Sequence, residues 1–104
     1  MGLSNGGSAV SAAMHSPFAR KFRSLTSISC NIDNLRSVPC QVNLIGGGKD
    51  ASANRMPSEC RQLKSLGVDA ALYFDETENH YILVNQHEGI LNFLKERMQL
   101  KCGR

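Results

Sequence analysis

The run Val68 to Val84, VDAALYFDETENHYILV, decides how this chain is read. Val68, Ala70, Leu72 and Phe74 alternate with Asp69, Ala71 and Tyr73, the period-2 pattern of a strand with one buried face. Asp75, Glu76, Thr77, Glu78 and Asn79 follow as a polar turn with no apolar residue. Tyr81 to Val84 then reads as a second, shorter strand, so the run predicts a hairpin.

Downstream, Asn85 and Glu88 have capping-box spacing and predict the start of a final helix. Ile90, Leu91, Leu94 and Met98 form its apolar stripe, widened by Phe93, while Lys95, Glu96 and Arg97 are expected to face water. Gly89 in the first turn costs roughly 1 kcal/mol relative to Ala.

Upstream, Pro57 to Leu66 reads as a helix. Proline suits its first turn, Met56, Cys60 and Leu63 share a face, and Gly67 follows as a C-terminal cap. Before it, Val38, Cys40, Val42 and Leu44 alternate in a strand that ends at Gly46-Gly47-Gly48. Pro39 near its start points to an edge or first-residue position. An earlier strand spans Leu25 to Ile32, with Asp33-Asn34 as the turn between the two.

The predicted order is (β)-β-α-β-β-α. The long crossover around Pro57 to Leu66 implies a right-handed β-α-β unit. The expected fold is a small α/β (α+β) two-layer sandwich over residues 25–104, preceded by a disordered arm over 1–24.

The chain has 104 residues and no Trp, so it holds one domain with an aliphatic core. Its net charge of +3 sits in the first third, where Arg20, Lys21, Arg23 and Arg36 face Asp33 alone. Residues 37–104 balance, which argues against a nucleic-acid surface on the folded part. No run reaches the ~20 apolar residues of a membrane span. Cys30, Cys40, Cys60 and Cys102 lack zinc-finger spacing, and the start of the chain lacks a continuous apolar h-region. Thiols in a reducing compartment are expected.

Val10, Met14, Phe18, Phe22 and Leu25 recur at helical spacing among Arg20, Lys21 and Arg23, with no acid before Asp33. That is the pattern of an organelle-targeting presequence. Pro17 interrupts it, and a disordered basic tail is the other reading.

Candidate chemistry is sparse. Gly46, Gly47 and Gly48 before Lys49 could turn backbone N–H groups toward a phosphate, but P-loop and dinucleotide spacings are absent. His15, His80 and His87 do not define a metal site. Cys60 is the best-placed thiol, at the first turn of its helix. Asp75, Glu76 and Glu78 cluster at a turn tip, where solvation argues against acid–base catalysis and protection of a sheet edge is the better explanation.

The stretch Asp75 to Ile90, DETENHYILVNQHEGI, resembles the third-to-fourth strand hairpin of roadblock-type domains, with an acidic turn, an aliphatic strand and a His-acidic-Gly-Ile run. The resemblance implies a non-catalytic α/β sandwich that dimerises and scaffolds small GTPases on lysosomes. The chain departs from that family in its short mid-chain helix and in the helix over Ile90 to Met98, where the family has a strand.

The expected function is a non-catalytic interaction or scaffold module, an adaptor subunit of a larger complex. Asp75, Glu76, Glu78, His80, His87, Glu88 and Lys95 are its candidate contact residues. Its partners are other proteins, as a homo- or hetero-oligomer, with no nucleic acid, metal or cofactor. The expected location is cytoplasmic and, as the resemblance implies, lysosome-associated. Two alternatives stay open: a mitochondrial assembly subunit with a cleaved presequence, and a thiol-dependent or phosphate-binding protein.

Overall fold

The computed structural model describes residues 2–3, 12, 14–15, 24–32, 35 and 37–102. Most of the arm over 1–24, and the expected turn at Asp33-Asn34, lie outside them. The elements are β1 (Gly2–Leu3), β2 (Ser24–Ile28), β3 (Gln41–Gly47), α1 (Met56–Ser65), β4 (Ala70–Asp75), α2 (Ile82–Asn85) and α3 (His87–Cys102). The strands lie in the order β1-β2-β3-β4 and all pairs are parallel. The expected mixed α/β class is the one observed, with three substantial parallel strands and the two-residue β1 beside β2.

Parallel pairing follows from burial. Every residue of β3 is buried, as a strand covered on both faces must be. Alternate side chains go to opposite faces. Val42 and Leu44 join Leu25, Met56, Cys60 and Leu63 in one cluster. Ile45 joins Ile28, Ile82 and Ile90 in the other. Helix α1 therefore covers one face and α3 the other, giving three layers where two were expected. The crossover from β3 through α1 to β4 sets the parallel register Val42–Ala70 to Gly47–Asp75.

Helix α1 begins with Pro57 in its first turn and ends as its sequence indicates. Gly67 takes φ +81°, and the Gly67 and Val68 N–H groups bond back to Lys64 and Leu63 carbonyls.

Three expectations are corrected. Tyr81 to Val84 is not a strand: Ile82–Asn85 is a short helix, and no hairpin forms. Ile82 is fully buried while Tyr81 and Val84 are exposed, a helical turn with one apolar side. The strands on either side of Asp33-Asn34 run parallel, so no hairpin turn joins them. Asn85 does not cap α3 in a capping box; its side-chain amide donates to Glu78 Oε1 at 2.9 Å.

Arg97 also departs from expectation, being 9% exposed. Its Nε donates to Asn43 Oδ1 at 2.7 Å and its NH1 to Asp69 Oδ1 at 3.0 Å. Gln41 donates to the Arg97 carbonyl at 3.0 Å. Asn43 and Gln41 share the sheet face of Ile45, so this polar group anchors α3 beside the second core cluster. Lys95 and Glu96 are exposed, as expected, while Leu91 is half in water.

Candidate functional site

The carboxyl ends of β2, β3 and β4 meet at one rim, the place where open parallel sheets hold ligands. There Asp50 Oδ2 lies 2.7 Å from His80 Nδ1. The Asp50 side chain is 5% exposed and the imidazole 37%. Asp50 Oδ1 accepts from Ser52 N at 2.8 Å, and Ser29 Oγ donates to the His80 carbonyl at 2.8 Å. Ser29 holds φ 58°, so the backbone turns sharply as it leaves β2. His80 thus ties the ends of β2 and β3 to the loop after β4.

The acidic turn is built rather than merely solvated. Asp75 Oδ1 accepts from the Thr77 hydroxyl at 2.6 Å and from its N–H at 2.8 Å. Gln86 Nε2 donates to Asp75 Oδ2 at 2.9 Å and to Glu78 Oε2 at 2.7 Å. Gln86 Oε1 accepts from the Tyr73 hydroxyl at 2.7 Å. These donors favour the ionised form of both carboxylates. Asp75 titrates below its ordinary range, chiefly through the Thr77 hydroxyl and then Gln86. Glu78 titrates below its own through Gln86 and then Asn85.

The glycine triplet serves packing. A Cβ at Gly47 would meet the Glu78 carbonyl oxygen, and one at Gly48 would lie 2.7 Å from Glu76 Cα. Gly48 N donates to Asp75 O and Lys49 N to Glu78 O, both at 2.9 Å. The donors that a phosphate would take are committed to the neighbouring loop, and the rim around them carries Asp50, Asp75, Glu76 and Glu78.

The remaining candidates scatter. Glu76, His87, Glu88 and Lys95 are exposed, the last three along α3. Cys60 is buried in the first core cluster, away from any thiol chemistry at the surface. Cys30, Cys40 and Cys60 form no disulfide. Among the described residues no three His, Cys, Asp or Glu side chains converge as metal ligands. No helix among them is long and apolar enough to cross a membrane.

The outer edge of β4 is the more unusual feature. Val42 N donates to Asp69 O at 3.0 Å, and Gly48 N to Asp75 O at 2.9 Å. Backbone groups alternate sides along a strand, so residues 69, 71, 73 and 75 serve β3. Ala70, Leu72 and Phe74 turn their N–H and C=O groups outward. Among the described residues no strand lies on that side. Edge strands are commonly protected by Pro, Lys or a bulge. Ala70 to Phe74 carries neither Pro nor any charge, and the register to β3 runs without a bulge. An open cavity of about 290 Å³ lies alongside, lined by Leu72, Tyr73, Phe74, Asp75 and Gln86.

Sequence reasoning singled out Asp75, Glu78 and His80 but missed their partners Asp50 and Gln86. A sheet edge or helical face was the expected docking surface, but not the edge of β4, which the expected hairpin would have covered. Comparison with family models, curated proteins and solved structures finds no match to this chain.

Proposed function

We propose that the protein is a non-catalytic interaction module whose β4 edge receives a strand from a protein partner. The outward N–H and C=O groups of Ala70, Leu72 and Phe74 carry this reading. Strand addition supplies main-chain hydrogen bonds to such groups, and flanking side chains supply selectivity. The adjoining cavity leaves room for the incoming side chains. The hydrogen-bonded Asp75, Glu78 and Gln86 hold the end of the edge in one shape, so little ordering remains for the moment of binding.

This reading uses no nucleophile–base pair among the described residues. Asp50 and His80 act as a clamp between strand ends, which keeps the edge straight up to Asp75. The module operates by docking, as an adaptor subunit does.

The test is site-specific photocrosslinking in cells. A photoreactive residue at Glu76, exposed just beyond β4, is compared with one at Asn54, exposed in the turn that precedes α1. Adducts from position 76 that disappear in a Leu72→Pro background support edge docking. Proline at 72 leaves the β3 ladder intact because that N–H faces outward. Equal adducts from 54 and 76, or adducts that survive Leu72→Pro, overturn it.

A further inference from the structure

We infer that the incoming strand is β4 of a second copy of this chain, paired antiparallel with Leu72 opposite Leu72. The inference rests on the edge-docking reading and names its partner.

The first ground is register. Pairing about Leu72 sets Ala70 opposite Phe74 of the other copy. Ala70, Leu72 and Phe74 are the residues whose backbone groups point outward, so each exchanges both its hydrogen bonds. A shift of the centre by one residue in either direction strands one of them.

The second ground is side-chain size. In this register the small Ala70 meets the large Phe74 on the α1 face, and Ala71 meets Tyr73 on the α3 face. Cross-strand neighbours interact directly, so small against large fills both faces without collision. A copy placed in parallel would match neither pair.

The third ground is charge. The start of β4 is net positive, with Lys64 in the last turn of α1 and Arg97 against Asp69. Its end is net negative, with Asp75, Glu76 and Glu78 against Lys49. Antiparallel pairing brings each start beside the other copy's end, and complementary potentials favour encounter and register. Asp75 faces Asp69 in this arrangement, and Asp69 already holds the Arg97 guanidinium at 3.0 Å. The contact is isologous and closes on itself, so one two-fold pairing covers the edge on both copies.

Sedimentation equilibrium of the full chain over a wide concentration range tests this. The wild type should dimerise. Leu72→Pro should be monomeric while still folded, which circular dichroism checks because Leu72 also packs against the first core cluster. Glu76→Lys should weaken the dimer several-fold, and Lys64→Glu added to it should restore the affinity; both positions are exposed, so folding is not at stake. A wild type monomeric at every concentration overturns self-pairing, as does a dimer that Leu72→Pro leaves intact. If self-pairing fails while edge-dependent adducts form from position 76 with another protein, docking stands and only the named partner falls. If both fail, both readings fall.

Discussion

The Asp50 carboxylate meets the His80 imidazole at 2.7 Å, bridging the loops that leave β3 and β4. Asp50 is buried, and a buried acceptor stripped of its donor costs about 1–3 kcal/mol. His80→Ala should destabilise the fold by that amount in urea denaturation. Asp50→Ala should cost at least as much, since Ser52 N loses its acceptor too. The double variant should cost less than the sum of the two, because the pair shares one bond.

Acid should weaken the fold through Asp75 and Glu78. Both titrate below their ordinary values of 3.8 and 4.5 in the folded chain, held there chiefly by Thr77 and Gln86 respectively. Their stabilisation is complete above the ordinary values. As pH falls, the unfolded chain takes up protons first, and the contribution is lost down through the lowered folded-state values. Isothermal denaturation from pH 6 to pH 3 should show stability falling on the acid side. Gln86→Leu removes a donor from both carboxylates and should make that fall shallower.

Arg97 fixes α3 to the sheet through Asn43 and Asp69. Arg97→Ala should cost roughly 2–3 kcal/mol, because it strips the Asn43 acceptor in a buried site. Asp69→Asn should cost about 1 kcal/mol or less, since its side chain is 64% exposed and such pairs are screened by water. Thermal unfolding of the two variants checks the order. Equal losses would show that the guanidinium does not need Asn43.

Gly47→Ala would drive a Cβ into the Glu78 carbonyl oxygen, a backbone atom that cannot swing aside. It should destabilise by about 1–3 kcal/mol, the usual cost of overpacking. Gly46→Ala meets the Met56 sulfur at 2.6 Å, which can yield, and the Ala53 Cβ at 2.7 Å, which moves only with its backbone. It should cost a similar amount. Paired urea curves compare them.

Where local chemistry decided the outcome, the sequence was legible. The alternation through Phe74 made β4, and Pro57 and Gly67 bounded α1. Tyr81 to Val84 was misread because a four-residue apolar run has no period of its own. Its fate was set by Ile28, Ile45 and Ile90, which bury Ile82 from the far face of the sheet. Arg97 sits in a polar stretch of helix and looked solvent-facing until Asn43, far away in the chain, supplied an acceptor. Asp75 and Glu78 were visible as an acidic cluster, but Gln86, which organises them, carries no local signal. Asp50 and His80 lie thirty positions apart, joined only because parallel strands bring their ends to one rim.

Self-pairing at β4 is tested most directly by residue-resolved amide exchange along the strand, in dilute and in concentrated full-length protein. Ala71, Tyr73 and Asp75 face β3 and should be protected in both. Ala70, Leu72 and Phe74 should exchange fast when dilute and gain protection together on concentration. Edge amides that stay fast at the highest concentration, or that are already protected when dilute, would contradict it.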